Sequence, residues 1–188
     1  MLIHHAPSRV HRLAHPGEAS ARLARSLSPR LDDRFHFVAE VRAGSREPIG
    51  AVVVGPGGTW AITLRAEAGR FRKRNGHWYR WNTATRSWVP WDAGSITTAR
   101  LGGRRLERYL ERAMLPARVE AVLVLPRGVQ VDWEADQRPG IHVLRDAESL
   151  ATAIESERLL SKPQVEQIVA LLDPHHPLPG SVRPAPPT

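Results

Sequence analysis

Ile49-Gly50-Ala51-Val52-Val53-Val54-Gly55-Pro56-Gly57-Gly58-Thr59-Trp60-Ala61-Ile62-Thr63-Leu64-Arg65 is the stretch on which the reading of this chain turns. Residues 49–54 and 59–64 are apolar at nearly every position, with Gly-Pro-Gly-Gly between them. A short run that is apolar without alternation predicts a strand covered on both faces. Glycine and proline in succession predict a tight reversal. The stretch therefore reads as two central strands joined in a hairpin.

Before it, His36-Phe37-Val38-Ala39-Glu40-Val41 alternates in the manner of a half-buried strand, and Asp32-Asp33 reads as a turn. A first helix begins around His15-Pro16-Gly17-Glu18. Pro16 suits a first-turn position, and Ala21, Leu23, Leu27 and Leu31 line one face. Residues 1–14, rich in His and Arg, read as a flexible N-terminal arm.

After it, residues 69–91 are both aromatic and basic. Arg70-Phe71-Arg72-Lys73-Arg74 leads through Asn75-Gly76 into His77-Trp78-Tyr79-Arg80-Trp81. Asn-Gly between two such runs is a strong signal for a type I′ hairpin. A further turn at 82–85 leads to Arg86-Ser87-Trp88-Val89-Pro90-Trp91, so the block predicts a small antiparallel meander inserted between core elements. A long helix is expected over 95–114, with Leu101, Leu106, Tyr109, Leu110 and Ala113 on its apolar face and arginines opposite. Gly102-Gly103 weakens that helix and marks a close approach. Strands follow at 119–125, 129–133 and 141–144, then a helix at 147–156. Ser161 is placed to cap a last helix ending near Leu172. Residues 174–188 are Pro-rich and read as a disordered tail. The expected organisation is one domain over 15–173, of α/β class, with a mixed central sheet flanked by helices and a Trp/Arg-rich hairpin insertion.

Composition sets the outer bounds. The 188 residues, 41% of them hydrophobic, suffice for one domain with a real core. No apolar run approaches the ~18–20 residues that span a bilayer. Met1-Leu2-Ile3-His4-His5 lacks the long apolar core of a secretory signal. A cytoplasmic location without membrane attachment is therefore the expectation. The absence of cysteine excludes disulfides, zinc-thiolate sites and thiol catalysis. The net charge of +8 is carried almost entirely by arginine, since Lys73 and Lys162 are the only lysines, and it favours a polyanionic partner such as nucleic acid. His4, His5, His11 and His15 have no evident carboxylate partner and read as part of a polar arm. The serines show no nucleophile-elbow context.

These residues together resemble the nuclease-related domain (NERD) family of the PD-(D/E)xK nuclease superfamily. That family carries Gly-Glu on its first helix, then Ile-Asp-His, an apolar strand, Gly-Pro and a Gly, then Glu-x-Lys on the next strand. A later glycine and a hairpin with Gly-x-Trp follow. Gly17-Glu18, Ile49-Gly50-Ala51, Val52-Val53-Val54-Gly55-Pro56, Ile62-Thr63-Leu64-Arg65, Gly69 and Gly76-His77-Trp78 stand in those slots. The resemblance covers about residues 15–156 and implies a restriction-endonuclease-like core. The family-equivalent site positions are Glu18, Gly50, Thr63 and Arg65.

The departures fall on the chemistry. The resemblance places metal-binding acids at 50 and 63 and a lysine at 65, where this chain has Gly50, Thr63 and Arg65. Mg²⁺ requires carboxylate oxygens to offset its dehydration, and arginine does not replace a lysine that orients water. The expectation is a catalytically inactive NERD-like protein that holds no metal or other cofactor and retains nucleic-acid binding. Arg70, Arg72, Arg74 and Arg80 would meet phosphates, while Trp78 and Trp81 would stack on bases, with packing in the core or hairpin the plainer account of Trp78. Two alternatives stand beside it. One is an active nuclease that binds Mg²⁺ or Mn²⁺ through relocated acids Glu18, Glu47 and Glu67. The plainer account of those acids is a first-turn glutamate favoured by the helix dipole and two solvated strand ends. The other alternative is a protein-interaction scaffold whose meander and tail dock a partner.

Overall fold

A computed structural model describes residues 17–64, 69–75, 77–91, 94–115, 117–125, 130–133, 141–144, 147–155 and 159–173. The expected arm and tail, Pro16, Arg65, Glu67 and Gly76 lie outside the described residues. The elements run α1 (Glu18–Leu27), β1 (His36–Val41), β2 (Ile49–Gly55), β3 (Gly58–Leu64), β4 (Arg70–Arg74), β5 (His77–Asn82), β6 (Ser87–Pro90), α2 (Gly94–Arg112), β7 (Val119–Val124), β8 (Gln130–Trp133), β9 (His142–Leu144), α3 (Ala147–Glu155) and α4 (Lys162–Leu172).

Five strands form the main sheet in the order β1-β2-β3-β7-β9. The first three pair antiparallel, and Gly55 opposite Gly58 closes the β2–β3 hairpin. Gly58 has φ +109, which a side chain would not tolerate there. β7 then pairs parallel to β3, and β9 parallel to β7, which gives the mixed sheet. Helices cover both faces. On one side Ala51, Val53, Trp60, Ile62 and Val122 meet Leu23 and Leu27 of α1 and Leu150 and Ile154 of α3. On the other, Val52, Val54 and Ala61 meet Leu106 and Leu110 of α2 and Val165 and Ile168 of α4. Burial from both sides is why β2 and β3 need an almost unbroken apolar sequence.

α2 approaches the sheet closely because of its glycine pair. A Cβ on Gly103 would stand 2.9 Å from the Cβ of Ala121 on β7, so only glycine allows the helix to sit at this depth. The expected apolar face of α2 needs correction. Leu101 is 56% exposed, and the buried residues are Ser95, Ile96, Ala99, Gly102, Gly103, Leu106 and Leu110. The two glycines hold the inward stripe that a hydrophobicity pattern assigns to large residues. The last helix begins as expected, with Ser161 N–H donating to Gln164 Oε1 at 2.9 Å in a capping box.

β1 departs from simple alternation. Glu40 has φ +54, and Val38 and Val41, three apart, enter the same core cluster. The turn at Glu40 switches the side that the strand presents.

The aromatic block forms a second sheet, β6-β5-β4-β8. Its three antiparallel strands are the expected meander, and Asn75 has the φ of +50 that a type I′ turn requires. The block is not a self-contained insertion, however. β8 returns from beyond β7 and pairs parallel to β4. Phe71 and Trp78 pack with Ile96 and Ala99 of α2 and Leu123 of β7, which fixes the small sheet to the main body. Among the described residues no helix is long and apolar enough to cross a membrane.

Candidate nucleic-acid interface

Two places carry the expected site residues: the head of the β2–β3 pair and the small sheet. At the first, the register Ala51↔Ile62 brings Gly50 on β2 alongside Thr63 on β3. Glu18 opens the neighbouring helix α1. The positions that the resemblance assigns to a metal site are thus close in the fold. Their chemistry is different. Ser20 Oγ on α1 donates to the Gly50 carbonyl oxygen at 3.0 Å, joining helix to strand there. Thr63 is 9% exposed. Glu18 points to solvent, its side chain 85% exposed, and pairs with Arg22 at 2.7 Å. A Cβ on Gly50 would lie 3.3 Å from the Ile62 carbonyl oxygen, so an acid there would press on the neighbouring backbone.

The relocated acids are not gathered among the described residues. Glu47 is exposed in the loop between β1 and β2, where its N–H donates to Ser45 Oγ at 3.2 Å. Glu67 and Arg65 lie outside the described residues. No group of three His, Cys, Asp or Glu suited to a metal ion occurs among those described. One acid beside α1 is one that sequence reasoning missed. Glu40 faces the N-terminus of α1, and the Gly17 N–H donates to its Oε1 at 3.2 Å. A carboxylate at a helix N-terminus is favoured by the helix dipole. Nothing in the local sequence signals it, because the positive φ of Glu40 sets its direction.

The small sheet divides its side chains by strand alternation. Arg72 is registered opposite Tyr79, Arg74 opposite His77, and Trp81 opposite Trp88. These residues, with Arg70, form the outer face. The stacking is specific. The Arg72 guanidinium carbon lies 4.3 Å from the Trp88 ring centroid. Arg70 spans Trp81 at 5.7 Å and Trp88 at 5.9 Å. The two indoles meet edge to face at 5.4 Å. The sheet thus carries alternating cations and rings on a surface turned away from the core.

Two of the six expected binding residues lie on the inner side. Trp78 is only 9% exposed, and its ring meets Trp91 edge-on at 6.1 Å. Arg80 is registered with Phe71 and Val89 and so belongs to the opposite face from Arg72, although it reaches solvent at the margin. Trp78 thus packs within the hairpin, and Trp88 stands on the outer face beside Trp81. Strand alternation could have found this, given Phe71 as the marker of the inner side.

No protein-family model, curated protein or solved structure matches the chain.

Proposed function

We propose that this chain is a nuclease-related protein of the NERD type, built on a restriction-endonuclease-like core, that lacks metal-dependent hydrolysis and binds single-stranded nucleic acid on the outer face of its small sheet. The mixed sheet flanked by helices supports the core assignment, as do the adjacency of Gly50 and Thr63 on β2 and β3 and the contact of α1 with Gly50 through Ser20. The loss of hydrolysis follows from charge. A glycine whose carbonyl already accepts from Ser20 and an uncharged threonine supply no anionic oxygen to a hard cation. The observation that carries the binding function is the Arg72–Trp88–Trp81–Arg70 array. Its arginines attract phosphates, and bases stack on indole and guanidinium planes alike.

Fluorescence polarisation with a labelled single strand tests the binding. Arg70→Glu/Arg72→Glu/Arg74→Glu is expected to lower affinity at least ~100-fold, since each phosphate contact is electrostatic. Trp88→Ala should lower it ~5–100-fold, the loss of one stacked base. Unchanged affinity in both variants would reject this face. Incubation of nucleic acid with the protein and Mg²⁺ or Mn²⁺ should leave it intact. Cleavage that disappears in Glu18→Gln would establish the relocated-acid nuclease instead.

A further inference from the structure

We infer that the solvent side of α2 is a second phosphate-binding surface, a rail for the backbone of duplex nucleic acid. This rests on the reading that the protein binds nucleic acid, and adds a different surface and a different form of ligand. Arg100, Arg104, Arg108 and Arg112 recur every four residues along α2, and all four are exposed. Four residues of helix rise ~6 Å, so the guanidinium-bearing positions form a ridge ~18 Å long, slightly inclined to the axis.

The ridge does nothing for the helix itself. Like charges four residues apart repel. None of the four arginines lies within ion-pair distance of a described carboxylate, although Glu107 and Glu111 belong to the same helix. A membrane surface does not fit the ridge. An interfacial helix must offer an apolar face, and that of α2 is spent on the core through Ile96, Ala99, Leu106 and Leu110. Leu101 is the one large apolar side chain of α2 that stands well exposed. A single strand does not fit either, because it needs stacking platforms, and Tyr109, the sole aromatic of α2, is packed against the core. Charge alone, regularly spaced on a rigid element, suits a ligand whose phosphates are already regularly spaced, which a duplex supplies. The N-terminal turns of α2 pack against Phe71 and Trp78, so the ridge starts beside the small sheet.

A labelled blunt duplex provides the probe. With four phosphates engaged, log affinity should fall with log salt at a slope of about −3.6. Arg104→Glu/Arg108→Glu should lower duplex affinity at least ~30-fold and flatten the slope by about 1.8. Arg104→Gln/Arg108→Gln should weaken binding in the same direction while melting no lower than the parent, because it relieves repulsion. Both variants should keep single-strand affinity within ~3-fold of the parent. Duplex affinity unchanged in both variants, or lost only in the Arg70, Arg72, Arg74 variant, would overturn the rail. Ridge-dependent binding to phosphatidylserine vesicles without binding to duplex would overturn it in favour of lipid. Ridge-dependent duplex binding by a protein that ignores single strands would sustain the rail and reject the outer face of the small sheet.

Discussion

The two sheets of this protein use their faces in different ways. The main sheet is closed on both sides. Ala51, Val52, Val53 and Val54 of β2 are each no more than 1% exposed. Three arginines near its margin pair with carboxylates, Arg22 with Glu18 at 2.7 Å, Arg34 with Asp32 at 2.6 Å and Arg118 with Glu120 at 2.6 Å. The small sheet buries only its inner side. Its outer side sets Arg70 and Arg72 on indole rings. A sheet whose two faces are both covered by helices has no open face of its own to offer a ligand. A one-faced sheet with cations on aromatic platforms does. The same contrast sets apart neighbouring residues of β4, where Phe71 is fully buried and Arg72 lies over the Trp88 ring on the outer face.

That division of labour is most open to attack at β4 and β6. Phe71 is fully buried between the small sheet and α2. Phe71→Ala should cost about 3–5 kcal/mol, measured by denaturant unfolding. Trp88→Ala, on the half-exposed outer face, removes cation–π contacts to Arg72 and Arg70 and an edge contact and should cost only about 1–2.5 kcal/mol. It should nevertheless damage single-strand binding. Equal destabilisation by the two substitutions would mean that the outer face is packing rather than interface, and the contrast between the sheets would fail.

The closeness of the main-sheet packing can be probed at the adjacent glycines of α2. Alanine is ordinarily favoured over glycine within a helix by about 1 kcal/mol. At Gly102 the added Cβ would meet Ile49 Cγ1 at 3.7 Å, an ordinary contact, so Gly102→Ala should stabilise by up to about 1 kcal/mol. At Gly103 it would meet the Cβ of Ala121 at 2.9 Å. Overpacking of this kind costs about 1–3 kcal/mol and should outweigh the helical gain. Gly103→Ala should therefore destabilise by about 1 kcal/mol, and Ala121→Gly in the same chain should relieve that loss. Opposite signs at neighbouring glycines would confirm that helix and sheet are in hard contact. Equal signs would show that α2 can retreat.

Much of this architecture can be read from local sequence, for reasons that particular residues make plain. The β2–β3 hairpin is legible because burial from both sides demands continuous apolar runs, and the Gly-Pro-Gly-Gly turn separates them. The α2 face is misread because Gly102 and Gly103 mark it by absence of bulk, whereas Leu101, a large apolar residue, points to solvent. The parallel pairing of β8 with β4 is invisible locally, since a parallel partner arrives from distant sequence. At the candidate site, composition singles out the Arg/Trp block but does not assign its faces. Trp78 turns inward and Trp88 outward because register decides which ring faces the core. Glu40 escapes notice because its placement depends on a backbone angle, not on a motif.

The rim of the main sheet gives the mildest probe of charge matching. Asp32 accepts hydrogen bonds from Arg34, from Nη2 to Oδ2 at 2.6 Å and from the backbone N–H to Oδ1 at 3.0 Å. The side-chain bond to Arg34 holds the Asp32 carboxyl below its usual range, against a small opposing effect of burial. Because the folded-state value is depressed, the pair stabilises the protein above the unfolded value of ~3.9. That contribution disappears as the pH falls through the lower folded value. Both side chains are about half exposed, so solvent screens them and the effect is small. Asp32→Asn keeps an acceptor for the Arg34 N–H and deletes only the charge. It should lower Tm by no more than ~1 °C at about pH 6, and the gap from the parent should close as the pH falls through the lowered folded-state value. A gap that persists in acid would mean that the turn, rather than the ion pair, is what Asp32 contributes. A gap of several degrees near neutrality would show that pairing at this rim matters far more than solvent exposure allows.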